Sequence, residues 1–271
     1  MNKYTFIASV SVALFFAACG DDSSSVEPSL DESSSSVVLS SSSSSAVIPS
    51  SSSVSSPMSS WSGGGAGAIG SMTDSRDGQS YKTVSIGTQT WMAQNLNYET
   101  ANSYCYGNTP SNCTKYGRLY TWAAAMDSAG SWSANGKGCG DAKTCTPTYP
   151  VRGVCPTGWH LPTNAEFETL CTAVGGSSTA GTKLKLTSGW NDFEGKSGNG
   201  VDDYSFSALP AGYRNYNEDY NFEGNYAFFW SSTEISSNYA YDMDLRYSND
   251  YASLKNGSLK NDGFSVRCVK D

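Results

Sequence analysis

The stretch CPTGWHLPTNAEF (residues 155–167) decides the fold, because it joins a predicted strand to a predicted helix. Thr163 and Glu166 have the spacing of a capping box: the threonine side chain can cap the Glu166 amide, and the glutamate carboxylate can reach back. Apolar residues then recur at helical spacing, which predicts one buried face of the helix. They are Phe167, Leu170, Cys171 and Val174.

Outside this junction the sequence predicts short strands and one more helix. Residues 81–87 have the pattern of a strand, and residues 89–93 that of its hairpin partner. The alanine-rich residues 119–128 predict a short helix. Beyond Gly175 the helical pattern ends, and short strands alternate with turns rich in glycine, asparagine, aspartate and serine. The predicted class is therefore α+β, with two short helices and several short antiparallel strands.

Several motifs resemble, in order, those of the Fibrobacter succinogenes major paralogous domain. They are GTQTWMAQNL (87–96), YGRLYTW (116–122), CPTGWHLPT (155–163), FSALPAGYR (206–214), FWSSTE (229–234) and GFSVRCV (263–269). The resemblance spans about residues 73–271 and implies a domain over residues 71–271. It also implies a C-type-lectin-like fold, which the formylglycine-generating enzymes share. Members of the Fibrobacter succinogenes major paralogous domain family are mostly lipoproteins and secreted proteins whose function is largely undefined.

The N-terminus has the parts of a lipoprotein export signal. Lys3 supplies positive charge, residues 5–16 form an apolar run too short to span a membrane, and residues 15–19 resemble a lipobox. These features predict a signal peptide over residues 1–18 and lipidation, with palmitate, of Cys19. An ordinary secretory signal with a chance cysteine is the alternative. The residues after Cys19 favour the outer membrane, with the protein exposed on the cell surface.

Residues 19–70 predict a disordered tether that is rich in serine and glycine. Twenty-two of the 38 residues from Ser23 to Ser60 are serine, and the scattered apolar residues show no helical or strand period. Such a segment buries too little apolar surface to offset the entropy that ordering would cost. The predicted organisation is a membrane anchor through lipid, a flexible tether and one folded domain.

Charge narrows the range of partners. The formal net charge of −8 at pH 7 argues against nucleic acid, which requires a basic face. It also argues against direct docking on anionic lipid headgroups. An extracellular carbohydrate or protein ligand remains the expected partner.

Seven cysteines follow Cys19, and export favours disulfides between them. The predicted pairs are Cys105 with Cys113, Cys139 with Cys145, and Cys155 with Cys268. The first two would each close a loop, and the third would tie the core to the C-terminal strand. Cys171 is then left as a buried thiol. Other pairings stay open at this point, because spacing alone does not determine connectivity.

Groups suited to catalysis are sparse, so we predict a protein that is not an enzyme and has no required cofactor. His160 is the only histidine and has no nucleophile beside it in the sequence. Glu166 and Glu168 point to different helix faces, and Asp202 and Asp203 adjoin in a loop. Neither set forms by itself the opposed carboxylates of a glycosidase. A cell-surface glycan-active enzyme remains an outside alternative.

One loop offers oxygen ligands for calcium. Its candidates are Asp192, Glu194, Asn199, Asp202 and Asp203. Carboxylate and amide oxygens suit this cation, but their spacing here is not diagnostic. An acidic, solvated loop is the alternative interpretation.

The segment from Tyr213 to Tyr251 has the composition of binding loops. Tyrosine supplies amphipathic contact area at low entropic cost, and the interleaved asparagine and serine supply adaptable hydrogen bonds. The predicted ligand-binding residues are Tyr213, Tyr216, Tyr220, Tyr226, Trp230, Tyr239, Tyr241, Tyr247 and Tyr251. The first hypothesis is adhesion to carbohydrate, in particular plant cell-wall polysaccharide. The second is a protein-binding display domain with a diversified surface. Alternatively, the tyrosines only fill the core of a small sheet.

Overall fold

The computed structural model describes residues 67–254 and 257–271. The predicted signal peptide, the lipidation site at Cys19 and the tether as far as residue 66 lie outside the described residues. The strands are β1 (Ile69–Thr73), β2 (Ser80–Ile86), β3 (Gln89–Met92), β4 (Ser103–Tyr104), β5 (Leu119–Thr121), β6 (Trp159–His160), β7 (Tyr213–Arg214), β8 (Tyr220–Asn221), β9 (Tyr226–Glu234), β10 (Tyr239–Arg246), β11 (Ala252–Ser253), β12 (Gly257–Leu259), β13 (Gly263–Phe264) and β14 (Val269–Lys270).

The helices are short. They are α1 (Pro110–Tyr116), α2 (Trp122–Ala125), α3 (Asn164–Ala173) and α4 (Ser177–Leu184), with a 3-10 turn over Tyr106–Asn108. Helix α3 and its capping box are confirmed: the Glu166 amide donates to Thr163 Oγ1 at 3.2 Å, and the Thr163 amide donates to Glu166 Oε2 at 2.8 Å. Within the described part of the chain, no helix is long and apolar enough to cross a membrane.

The α+β class is confirmed. The prediction of only two helices, one over residues 119–128 and one from residue 163 onward, was incomplete, because the described residues contain four α-helices. Residues 119–121 form strand β5, which pairs with β13 and buries Leu119 and Tyr120, so strand pairing overrides the alanine-rich propensity of that segment. Helices α1 and α4 were missed because they contain few strong helix formers. Helix α4 is stabilised by burial of Ala180 and Leu184, as tertiary contacts stabilise most short helices.

The strands form three antiparallel sheets. Their orders are β1-β2-β3-β14-β6, then β11-β10-β12 with β9 also paired to β10, and β4-β5-β13-β7-β8. Strand β14 lies between β3 and β6, so the C-terminal strand lies beside the first hairpin. The predicted hairpin of β2 and β3 is confirmed. Strand β1 begins at Ile69 and pairs with β2.

The predicted disulfides are all present. Cys105 is bonded to Cys113, Cys139 to Cys145, and Cys155 to Cys268. Cys171 is a free, buried thiol, as predicted. Burial raises the pKa of Cys171 to about 12, so the reactive thiolate is scarce at neutral pH.

His160 connects α3 to the C-terminal residues. Its Nε2 lies 2.8 Å from Glu166 Oε1, and its Nδ1 lies 2.7 Å from Asp271 Oδ1. Burial lowers the pKa of His160, but the hydrogen bonds to Glu166 and Asp271 outweigh this effect and raise the pKa above 6.5. Burial raises the pKa of Glu166, but hydrogen bonds with His160 and Thr163 leave it below 4.5. His160 therefore links the capped end of α3 to Asp271, and both carboxylates favour its protonated form.

Replacing His160 with glutamine should lower the free energy of unfolding by about 1–2 kcal/mol near pH 5.5. The raised pKa of His160 gives stability that is complete below its unfolded value of 6.5 and is lost as the pH rises through the folded value. The lowered pKa of Glu166 gives stability above its unfolded value of 4.5, which is lost as the pH falls through the folded value. Urea unfolding at several pH values measures the difference in free energy of unfolding between the wild type and the His160→Gln variant. A difference that does not change with pH would contradict this account.

Candidate functional site

The candidate site begins on strand β9. Side chains of a strand alternate between two faces, and Ala227 and Phe229 point into the core that also contains α3. Tyr226, Phe228 and Trp230 occupy the opposite face. Across β10, their register partners are Arg246, Asp244 and Asp242. This face of the sheet therefore has a row of aromatic rings beside a row of ionisable residues.

Rings from four separate segments extend this row into a continuous aromatic strip. The strip consists of Phe193, Tyr213, Phe222, Tyr226, Phe228 and Tyr247. Ring centroids are 5.3 Å apart for Phe193 and Tyr247, 6.4 Å for Tyr247 and Tyr226, 4.8 Å for Tyr226 and Phe222, and 5.9 Å for Phe222 and Tyr213. Phe228 lies 5.5 Å from Tyr226 and 5.4 Å from Tyr213. These separations are typical of interacting aromatic rings.

The strip is partly open to solvent. Phe222 is 47% exposed and Phe193 is 36% exposed, and the other four rings are half-buried. The Arg246 guanidinium lies 5.3 Å from the centre of the Tyr226 ring, and its Nε donates to Asp244 Oδ1 at 2.7 Å. The strip is therefore a contiguous, partly exposed aromatic surface, which makes it the candidate site.

Two contacts position the loop that contains Phe222. The neighbouring Glu223 carboxylate accepts a hydrogen bond from the Tyr116 hydroxyl at 2.8 Å and lies 3.7 Å from Lys115 Nζ. Gly224 has a φ of +80°, and a Cβ there would lie 2.5 Å from Asn191 Nδ2. Glycine at 224 thus permits Asn191, two residues before Phe193, to pack against the loop.

The structure divides the predicted tyrosines into several groups. Tyr213, Tyr226 and Tyr247 belong to the aromatic strip. Tyr220 instead packs on Tyr106, with ring centroids 5.2 Å apart, and Tyr241 is half-buried opposite Gly257. The remaining three are exposed outside the strip: Tyr216, Tyr239 and Tyr251.

The assignment of Trp230 to a binding surface is wrong. Its side chain is fully buried, its Nε1 donates to the Tyr120 carbonyl at 2.7 Å, and its ring stacks on Phe264. The indole is therefore a core residue that no ligand touches in this conformation.

The sequence interpretation missed the phenylalanines of the strip. Phe222 and Phe228 lie within the tyrosine-rich segment, and counting all aromatic residues there would have included them. Phe193 comes from a separate loop. No local signal pointed to it, because its place beside Tyr247 depends on the tertiary fold.

Two carboxyl groups near the strip have unusual titration. Burial raises the pKa of Asp242 to about 8, although a hydrogen bond from the Ser258 hydroxyl lowers it. Burial also raises the pKa of Asp262 to about 6. Asp242 Oδ2 and Asp262 Oδ1 have no hydrogen-bond partner among the described residues. Near neutral pH, Asp242 is therefore mostly neutral, and the charge beneath the strip is smaller than the sequence suggests.

The predicted calcium ligands do not converge. Asn199 Oδ1 accepts from the Trp190 amide at 3.0 Å, and Asp202 accepts from the amide and hydroxyl of Ser207 at 2.7 Å each. Asp192, Glu194 and Asp203 are exposed. No cluster of three or more histidine, cysteine or acidic residues that could hold a metal occurs in residues 67–254 and 257–271. Within the described residues, this loop therefore contains no preformed cluster of carboxylates for calcium.

Comparison with known proteins gives one family. The family model described as the Fibrobacter succinogenes major domain matches residues 84–270. No curated protein and no solved structure matches the chain. The matched range contains every residue of the aromatic strip.

Proposed function

Since the chain belongs to the Fibrobacter succinogenes major domain family, we propose that it is a non-catalytic binding protein that adheres to carbohydrate through the aromatic strip. One observation supports this proposal: six aromatic rings contact one another in one continuous strip, and two of its phenylalanines are exposed, Phe193 at one end and Phe222 within it. Flat aromatic rings stack on the apolar faces of sugar rings, and rigid aromatic side chains lose little entropy on binding. Insoluble plant cell-wall polysaccharide is the proposed ligand.

The rest of the proposal concerns location and fold. Residues 1–18 are proposed as the signal peptide, and Cys19 as the lipid attachment site of an outer-membrane lipoprotein exposed at the cell surface. The serine-rich segment is proposed to tether the domain away from that membrane. The C-type-lectin-like fold is likewise proposed, because the motifs that resemble this family imply it. The three antiparallel sheets and short helices are consistent with it.

Replacing Phe222 or Tyr247 with alanine should weaken retention of the purified protein on cellulose or xylan by about fivefold to thirtyfold. This range corresponds to the roughly 1–2 kcal/mol that a central aromatic contact contributes to an interface. Depletion binding assays against the insoluble polysaccharide measure the change.

Tyr239→Ala is the matched control, because Tyr239 is 43% exposed and lies on the same sheet but outside the strip. It should bind like the wild type. Full retention by both strip variants would refute the proposed site. Loss of a protein ligand in Tyr239→Ala, with no change in the strip variants, would favour the protein-binding display hypothesis instead.

A further inference from the structure

The rings of the aromatic strip are inclined to one another. The interplanar angle is 79° between Phe193 and Tyr247, 50° between Tyr247 and Tyr226, and 47° between Tyr226 and Phe222. A flat platform requires rings that lie in one plane, so these successive rings do not form one. A ligand with a flat, rigid surface therefore meets only some of the rings at a time.

Stacking within the strip covers further aromatic surface. Tyr226 and Phe228 are nearly parallel, with an interplanar angle of 4° and ring centroids 5.5 Å apart. Tyr213 stacks on Phe222 in the same way, at 17° and 5.9 Å. In an offset stack each ring covers part of one face of its neighbour, so fewer faces than rings remain for a ligand. The accessible aromatic surface is therefore divided into small separate faces, of which Phe193 and Phe222 are the most exposed.

Two asparagine side chains, which we call the amide pair, lie beside the strip. Asn191 Nδ2 donates a hydrogen bond to Asn225 Oδ1 at 2.9 Å. Among the described residues, Asn191 Oδ1 and Asn225 Nδ2 make no hydrogen bond. Asn191 is exposed, and Asn225 Nδ2 lacks a partner without being buried, so a ligand can reach both side chains. The amide pair therefore offers one free acceptor and one free donor.

Backbone hydrogen bonds fix the amide pair to the segments that contain the strip. The Tyr247 amide donates to the Asn225 carbonyl at 2.8 Å, and the Asn225 amide donates to the Phe222 carbonyl at 3.0 Å. The Asn191 amide donates to the Gly224 carbonyl at 2.8 Å. The polar groups therefore have a fixed position relative to the rings, and a ligand does not have to order them.

We propose that the strip binds a single, hydrated glucan or xylan chain, not the flat face of a crystalline polysaccharide, and that the amide pair binds hydroxyl groups of that chain. This proposal rests on the function proposed above and specifies the physical form of its ligand. A free chain rotates about its glycosidic bonds, so its successive sugars can follow inclined rings. Sugars in a crystal face are held in one plane by their neighbours and cannot.

The amide pair strengthens the distinction between the two forms of polysaccharide. An aromatic ring contacts the apolar face of a sugar, whereas the hydroxyls project from its edge, where an amide can donate and accept. In a crystal, neighbouring chains already occupy many of these edge hydroxyls. The free donor on Asn225 and the free acceptor on Asn191 therefore favour a chain whose edges are open to solvent.

The test measures binding of the purified protein to acid-swollen cellulose and to microcrystalline cellulose, at equal accessible surface. Binding to the swollen form should be at least about tenfold tighter, because only a free chain can contact several inclined rings together. Soluble cellohexaose or xylohexaose, added in excess, should displace the protein from the swollen cellulose. Equal or tighter binding to the microcrystalline form, or no displacement by either hexasaccharide, would overturn the proposal.

Variants of the amide pair test its part in binding. Asn225→Asp keeps the acceptor for Asn191 Nδ2 but replaces the free donor with an oxygen, so it should weaken hexasaccharide binding by about threefold to tenfold. Asn191→Ala, at an exposed position, should weaken binding by a similar factor of about threefold to tenfold. Asn217→Asp is the matched control, because Asn217 is exposed, outside the strip and gains the same charge. It should bind within about twofold of the wild type, because it removes no contact with the ligand.

Wild-type affinity in both Asn225→Asp and Asn191→Ala would contradict the role of the amide pair. Thermal unfolding of each variant shows whether a loss of binding reflects a loss of folding. Absence of binding to every one of these ligands would overturn the proposed function and this proposal together. Binding confined to microcrystalline cellulose would overturn this proposal alone, so the two failures are distinguishable.

Discussion

Replacing Arg267 with alanine should lower the free energy of unfolding by about 4–5 kcal/mol or prevent folding altogether. The side chain is fully buried, and its guanidinium donates to Asn95 Oδ1 at 2.8 Å, to the Ser207 carbonyl at 2.8 Å and to the Phe206 carbonyl. It thereby joins the segment that follows β3, residues 206–207 and the segment between β13 and β14. Alanine would leave these three acceptors unsatisfied and would open a cavity next to Phe229.

The state of the guanidinium supports this expectation. Burial lowers the pKa of Arg267 to about 9, so the group is still charged at pH 7. It has no carboxylate within ion-pair distance in the described residues, and its charge is compensated by the carbonyl and amide oxygens. Removing that compensation affects several elements at once, which is why the expected loss is near the upper end for a single substitution.

Arg267→Met separates the hydrogen bonds from the volume, because methionine fills much of the space but donates nothing. We expect it to lose about 2–4 kcal/mol, since the acceptors remain unsatisfied. Chemical denaturation followed by tryptophan fluorescence measures both variants. Wild-type stability in Arg267→Met would show that packing alone, and not the hydrogen bonds, makes this residue important.

Removing the disulfide between Cys155 and Cys268, by replacing both with alanine, should lower the free energy of unfolding by about 4.8 kcal/mol on the chain-entropy model. The disulfide joins residues 113 apart in sequence, so it restricts the unfolded chain strongly. Both cysteines are fully buried, and strand β14, which follows Cys268, pairs with β6 just after Cys155.

The disulfide between Cys105 and Cys113 is the matched control, because it closes a loop of only 8 residues. Its removal should lower the free energy of unfolding by about 2.5 kcal/mol on the same model. Urea unfolding of the two double-alanine variants gives the comparison. An equal or larger loss for the short loop would show that contacts in the native state, not loop closure, determine the effect.

Several structural elements could be predicted from local sequence patterns. The capping box at Thr163 and Glu166 predicted the start of α3, because such caps depend on residues three apart. The three disulfides were proposed from spacing and from the expected export of the chain, and the structure decided between this pairing and the alternatives. Helix α4 and strand β5 could not be read in the same way, because contacts distant in sequence override their weak local propensities.

The candidate site shows the same division. Its composition was visible in the sequence, since tyrosines cluster between residues 213 and 251. The sequence did not show which aromatic residues of this segment form a surface. Trp230 is in the core, whereas Tyr226, on the same face of β9, is only half-buried. The difference comes from Phe264 and the Tyr120 carbonyl, which cover Trp230 from another sheet.

By itself, the sequence determined the α+β class, the capped helix after residue 163 and the family resemblance, because each depends on residue type and short spacing or on motifs in order. Only the tertiary structure decided that Phe193 joins Tyr247 and that Trp230 is buried while Tyr226, on the same strand face, is half-buried. These features arise where segments far apart in sequence meet, and such meetings depend on the packing of the whole domain.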